Sequence, residues 1–270
     1  MQIVTDRAAD LSPAQLEKLG EIHYIPLILT LDGRSYRSGV DIQPEEFYKL
    51  LAATDGMPTT SQPSAGDFAE LYRRVAAQDS DILSVHISSG LSGTVNAARL
   101  GAEMVPEANI TIVDSKTLSG ALGWQVEAAA RAIQAGWPLE KILETVTQVG
   151  RATETLFTLP ELKYLIHGGR ISHLKGLLAS VLNIKPLIGV DKESGKYAER
   201  GKARTFARAL RHIGEVITQQ VPAGSALRVQ VMHANNPDGA AVLREQLDRL
   251  FECTWLPEAP IAPVLGAHTG

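Results

Sequence analysis

A chain of 270 residues is long enough for one large domain or two modest ones around a proper buried core. Its 44% hydrophobic and 21% charged residues are the balance of an ordinary globular protein. A net charge of −4 gives no general attraction to nucleic acid or to an anionic membrane. The single cysteine, Cys253, excludes a disulfide framework or a thiolate metal cluster within the chain. No apolar run approaches the ~18 residues that a membrane helix needs.

In chain order, residues 2–5 read as a strand ending at Asp6, directly at the N-terminus and without a charged-then-apolar leader, so a cytoplasmic protein is expected. Ser12-Pro13 caps and starts a helix through Leu19. Residues 22–31 are a second apolar run, and Asp32-Gly33 is a turn dipeptide that folds 34–36 back as a hairpin. A short helix is expected over 44–53. Residues 54–62 lack apolar periodicity and read as a loop. Pro63-Ser64 then opens a helix with Phe68, Leu71, Tyr72 and Val75 on one face.

Residues 81–87 (DILSVHI) form a buried-strand pattern that breaks into Ser88-Ser89-Gly90, and Leu91-Ser92-Gly93-Thr94 opens a helical pattern. Another strand, 109–113, ends at Asp114-Ser115, and long helical patterns cover 120–134 and 139–149. The character changes near Gly150. A strand at 155–158 and a short helix at 160–166 stop at Gly168-Gly169. A Leu-rich helix is expected over 172–182, strands at 184–190 and 196–200 about the turn Ser194-Gly195, an amphipathic helix at 205–218, a strand at 227–232 and a helix at 238–250. The alternation means an α/β fold, with parallel pairing in the first half.

The stretch 81–94 is the most informative. A strand ending in small hydroxyl residues and glycines before a helix gathers hydroxyls, unpaired backbone N–H groups and the positive end of a helix dipole. That is an anion site, for a phosphate or a carboxylate, although a Ser/Gly-rich turn with a serine cap would read the same way. Ligands of open parallel sheets sit beyond the carboxyl ends of the strands, and strands here end in Thr5-Asp6, Ser88-Ser89-Gly90 and Asp114-Ser115.

Other chemistry fares worse. A nucleophile elbow needs G-x-S-x-G, and Gly90-Leu91-Ser92-Gly93-Thr94 has its second glycine one place too early. His233 and His268 are available as bases, but no spacing singles out a triad. The seven histidines are scattered, with no HExxH or paired-cysteine signature, and His23, His86 and His212 read as structural or solvated. No phosphate-loop or dinucleotide fingerprint is present. What remains is hydroxyls (Thr59, Thr60, Ser61, Ser88, Ser89, Ser92, Thr94), glycines, and Arg170 and Arg204 in polar contexts. Leu177, Leu178, Val181, Leu182, Leu187 and Ile188 read equally as core or as an apolar slot.

MQIVTDRAADL at the start, MPTTSQPS at 57–64, SSGLSGT at 88–94, VDS at 113–115, GGRIS at 168–172, NIKPLI at 183–188 and GAHTG at 266–270 resemble, in order and spacing, the DegV family. The resemblance implies two α/β domains with a long-chain fatty acid such as palmitate buried between them, here 1–152 carrying the hydroxyl-rich carboxylate site and 153–270 covering the acyl chain. It also implies no catalytic residues, metal or cofactor, and a carrier role as the binding subunit of a fatty-acid kinase, with a separate ATP-using subunit as partner. By motif, Thr60 and Ser92 would bind the carboxylate, His268 would complete that network, and Arg170 and Arg204 would lie near the pocket mouth. Two other functions compete: an esterase or thioesterase using Ser92, and a binding protein for a phosphorylated small molecule. Two departures stand out. Arg7 replaces the serine of the usual TDS opening, and the family continues past its histidine motif with a Pro-Gly and a closing segment, whereas this chain ends at Gly270, by truncation or divergence.

Overall fold

The computed structural model describes residues 1–174 and 184–270. Its N-terminal sheet is parallel throughout, in the order β2 (Ile22–Ile25), β1 (Gln2–Asp6), β6 (Asp81–His86), β7 (Asn109–Asp114). Parallel neighbours need crossovers, and α1 (Pro13–Leu16), α3 (Ala65–Ala76) and α4 (Thr94–Glu103) lie within them, while α5 (Ser119–Gln134) follows β7. Helix α3 starts on a capping box, Ser64 with Asp67, and buries the expected face of Phe68, Leu71, Tyr72 and Val75 against the sheet. The carboxyl ends of β1, β6 and β7 therefore lie side by side, as the strand-end pattern required.

A second, antiparallel sheet has the order β4 (Arg34–Arg37), β3 (Ile28–Leu31), β5 (Thr59–Ser61). Asp32 and Gly33 both take positive φ, 51° and 75°, the mirror-image turn that matches strand twist in a tight hairpin. Strand β5 corrects the loop reading of 54–62. Three residues are too few for periodicity, and they are extended because Thr60 pairs with Leu29 of β3. The apolar run 22–31 is two strands rather than one, broken at Pro26, which cannot donate to a ladder. Helix α1 (Pro13–Leu16) is shorter than expected, while α2 (Pro44–Ala52) matches.

Beyond α6 (Leu139–Ala152), a second α/β unit begins with the antiparallel sheet β10 (Tyr197–Ala203), β9 (Lys185–Val190), β8 (Leu156–Thr158), and α7 (Lys163–His167) lies between β8 and β9 in the chain. Leu187 of β9 faces α8 (Phe206–Thr218), packing on Leu210, Ile213 and Val216, whereas Ile188 faces the opposite way. The expected strand 227–232 is split into β11 (Ala226–Val229) and β12 (Met232–His233). These pair in parallel with β13 (Glu252–Trp255) and β14 (Ala259–Pro260), across α9 (Pro237–Leu250). Of the expected helix 172–182, Ser172 lies in a 3-10 turn, Arg170–His173, and Leu177, Leu178, Val181 and Leu182 lie outside the described residues.

The last helix, α10 (Pro263–Thr269), returns to the N-terminal sheets. Gly266 packs so tightly on α2 that a Cβ there would stand 2.6 Å from the Phe47 ring. One apolar cluster runs through both halves of the chain, with Ile87, Leu91 and Leu118 from the first and Leu165, Ile188 and Tyr197 from the second.

Candidate functional site

Thr60 sits in the middle of β5, half-buried, and α10 brings His268 to it. Thr60 Oγ1 and His268 Nε2 are 2.7 Å apart. His268 is buried, and its Nδ1 has no hydrogen-bond partner among the described residues. Burial, with the positive charge of Arg170 and then His167 beside it, pushes the imidazole down to about 4. The ring is therefore neutral at pH 7, with one nitrogen donating and the other accepting.

Ser92 comes from the strand-to-helix turn after β6. The turn is closed by the Leu91 and Ser92 N–H groups donating to the Ser88 carbonyl, both at 3.0 Å. Gly93, not a serine, is the N-cap of α4, and Ser92 Oγ lies 2.8 Å from Thr94 Oγ1. A Cβ at Gly93 would stand 2.0 Å from the Gln62 amide oxygen, so any other residue there would displace the Gln62 side chain. Gln62 thus presses the segment carrying Thr60 against the turn carrying Ser92. It belongs to the quoted TTSQPS motif, yet only the tertiary contact distinguishes it.

Arg170 reaches the same place. Gly169, with φ at +75°, turns the chain after α7, and the Arg170 guanidinium then donates to the Gly168 and Leu91 carbonyls, the latter at 3.4 Å. Leu91 is the neighbour of Ser92, so Arg170 joins the hydroxyl turn to the segment that packs on His268. Among the described residues Arg170 pairs with no carboxylate. Thr60, Ser92, His268 and Arg170 are thereby linked through three segments, whereas Arg204 stands exposed between β10 and α8, apart from these hydrogen bonds.

The floor of the site is a buried polar chain. Asp6, at the end of β1, accepts the Ala8 and Ile87 N–H groups at 3.0 and 2.9 Å and contacts His86 Nδ1 at 3.0 Å. His86 Nε2 contacts Ser84 Oγ at 2.7 Å, and Ser84 contacts the Tyr72 hydroxyl at 2.8 Å. This is a Ser-His-Asp order with every member at 0% exposure, so it fixes the ends of β1 and β6 and meets no substrate. His86 is structural, as expected. Ser89 donates from both N–H and hydroxyl to Asp114, and the Ser88 hydroxyl donates to the Gly195 carbonyl at 2.7 Å, clamping the turn from two further sides. Arg7 lies with its guanidinium carbon 4.0 Å from the centre of the Tyr24 ring, a cation–π contact at the end of β1.

Arranged this way, the site offers neutral hydroxyls, a neutral imidazole and one unpaired guanidinium. The set suits an oxyanion, and among the described residues Ser92 Oγ meets Thr94 Oγ1 and no base. Among the described residues no group of three or more His, Cys, Asp or Glu side chains is placed to hold a metal, and no helix is long and apolar enough to cross a membrane.

A family model described as an uncharacterised protein of the DegV family matches residues 1–270. The chain belongs to the DegV family. A DegV domain-containing protein of Staphylococcus aureus is 34% identical over 268 residues, covering 99% of this chain and 94% of its own. One from Deinococcus radiodurans is also 34% identical over 268 residues, with 99% and 91% covered. Among solved DegV structures, one from Thermus thermophilus, described by its fatty-acid binding, superimposes with a TM-score of 0.87 at 30% identity, covering 100% of this chain and 95% of that one. DegV of Bacillus subtilis, described as a fatty acid binding protein, gives 0.85 at 27% identity, with 100% and 95% covered. The two-domain α/β architecture expected from the DegV motifs is the one observed.

Proposed function

We propose that this chain binds a long-chain fatty acid and presents its carboxylate to a separate ATP-using kinase subunit, with no turnover of its own. In this reading residues 1–152 carry the carboxylate site and 153–270 cover the acyl chain, the last helix returning to complete the site. Thr60 and Ser92 donate to the carboxylate, His268 orients Thr60, and Arg170 stands at the mouth, where it would accommodate the added charge of an acyl phosphate. Arg204, exposed further out, would meet the acyl phosphate or the kinase only from the surface.

The observation that carries the reading is the 2.7 Å contact between Thr60 and the neutral, buried His268 in a site whose cation is unpaired. A hydroxyl polarised by a neutral ring holds a carboxylate without the bidentate clamp that would tie up both of its oxygens. One oxygen stays free to attack a phosphoryl donor. The solved relatives described as fatty-acid binding support the ligand class. Affinity would come from the apolar cluster between the halves. Burial contributes roughly 0.8 kcal/mol per CH₂, so a dozen methylenes give on the order of 10 kcal/mol before ordering costs.

Mass spectrometry of an organic extract from freshly purified protein tests the ligand. Near-stoichiometric long-chain fatty acid is the expected result, and an empty extract from protein that also refuses added fatty acid would sink the proposal. The role of the hydroxyls is tested separately. A Thr60→Ala, Ser92→Ala double variant should lose kinase-dependent phosphorylation more than lipid retention; equal loss of both counts against it.

A further inference from the structure

A cleft of about 170 Å³ opens at the carboxyl end of β7, lined by none of Thr60, Ser92, His268 and Arg170. Val113, Ala121, Val146 and Val190 make its apolar wall, and Lys116, Arg151 and Lys192 stand around it. Asp114 is the one carboxylate in the lining, and it is saturated. It accepts the Ser89 N–H and hydroxyl and the Lys116 N–H, and Lys116 Nζ lies 3.0 Å from it. Lys192 donates to the Arg151 carbonyl at 2.7 Å and pairs with Glu154, which lies outside the lining. Arg151 is exposed, and among the described residues its guanidinium pairs with no carboxylate. Three cations thus stand against two carboxylates, leaving the Arg151 guanidinium as the excess positive charge beside an apolar wall.

We propose that this cleft binds a small organic oxyanion, a carboxylate or phosphate monoester carried on a compact apolar body. A dry cavity of comparable size, about 150 Å³, is filled by benzene, which sets the body at roughly six to ten heavy atoms. The body lies on the valines, and the oxyanion meets the Arg151 fork with Lys116 and Lys192 on either side. The position, beyond the carboxyl end of a parallel strand, is where open α/β sheets collect ligands. It is separate from the Thr60 site, but Asp114 holds Ser89, three residues before Ser92 in the same turn. An anion that draws Lys116 off Asp114 leaves the carboxylate to the turn that carries Ser92.

Phenyl phosphate and benzoate, titrated into the full chain and followed by amide NMR shifts at Thr117, Gly150 and Thr155, test the assignment and separate the two headgroups. At least one should bind saturably, and inorganic phosphate, lacking the body, should bind about tenfold more weakly. Arg151→Ala should weaken the bound probe about tenfold. Lys116→Gly should do the same without backbone strain, because Lys116 holds φ at +56°. Protein saturated with palmitate should still take the probe. Failure of both probes, binding unmoved by both variants, or inorganic phosphate binding equally well overturns the site. Loss of probe binding on palmitate loading overturns it too, by making the cleft the far end of the acyl path.

Discussion

Gly168 lies against the Nδ1–Cε1 edge of His268: a Cβ built on it would stand 2.0 Å from Nδ1 and 2.5 Å from Cε1. The backbone there, φ −71° and ψ −5°, is open to any residue, so close approach and not conformation demands glycine. The segment that ends in Arg170 therefore passes over the imidazole on its way to the Leu91 carbonyl beside Ser92. Gly168→Ala should push the ring off Thr60 Oγ1, cost about 1–3 kcal/mol of stability and lower kinase-dependent phosphorylation more than fatty-acid retention. Thermal unfolding, extractable lipid and phosphorylation, measured on the same preparation, check all three parts. A variant that keeps full phosphorylation would show that the His268 position does not orient the ligand.

The depressed His268 gives acid sensitivity with a defined sign. Its folded value, about 4, lies below the ordinary 6.5, so the unfolded chain binds the proton first. The stability that the neutral ring contributes is fully present above about pH 6.5 and is lost as the pH falls toward about 4, by up to roughly 1–3 kcal/mol. His268→Gln keeps a polar group near Nε2 and cannot titrate. Urea unfolding between those limits should show a shallower loss in the variant than in the parent, and parallel curves would mean that the ring is solvated.

Much of this site was legible because its residues lie where topology alone sends them. Ser88, Ser89 and Asp114 end adjacent parallel strands, so placing the strands places the residues. Thr60 and His268 were legible only through their motifs. Nothing in 54–62 alternates, and β5 exists because β3 offers it an edge. Helix α10 was not anticipated at all: Ala267 packs on α2 and β3, partners some two hundred positions away, while Val264 and Leu265 join the cluster that runs through both halves. Gln62, Gly93 and Gly168 act through close approach, which no sequence period encodes. The Asp6–His86–Ser84 chain is a similar case, a Ser-His-Asp order that looks reactive in isolation and is inert because Tyr72 and Phe68 cover it.

Asp10 provides a test of opposite sign. It sits behind the site, where Ser119 donates to it at 2.6 Å and the Ala262 N–H, leading into the helix of His268, at 2.8 Å. Burial pushes its carboxyl up to about 7 despite those two donors, with Asp6 adding to the rise. A raised carboxyl stabilises the fold at low pH, and that contribution is lost as the pH climbs from about 4 through about 7. Asn tolerates the left-handed φ of +43° and still accepts from Ala262 while its amide donates to Ser119. Asp10→Asn should therefore stabilise the protein by about 1–2 kcal/mol at pH 8 and change little at pH 4. An equal gain at both would rule out removal of a strained charge as its origin.

Glu127 ties α5 to both ends of the chain. The residue is 3% exposed and accepts Gln15 Nε2 and Arg228 Nη2, each at 2.9 Å, with Arg131 Nη2 at 2.8 Å. Burial pushes the carboxyl up, but Gln15 and the two arginines outweigh it and hold it below the usual glutamate range. Both arginines are about half solvent-exposed, which screens their contribution. Replacing the carboxylate by Glu127→Gln should therefore cost only about 1 kcal/mol at pH 7. That difference should shrink on acidification, because the parent loses its own contribution as the pH falls through the depressed value. Glu127→Ala also leaves a cavity and strands the Gln15 amide, so about 2–3 kcal/mol is expected, at every pH. Denaturant midpoints at pH 7 and pH 4 separate the two substitutions. If Gln and Ala cost the same at both, packing alone joins α5 to β11 and the charge has no part in it.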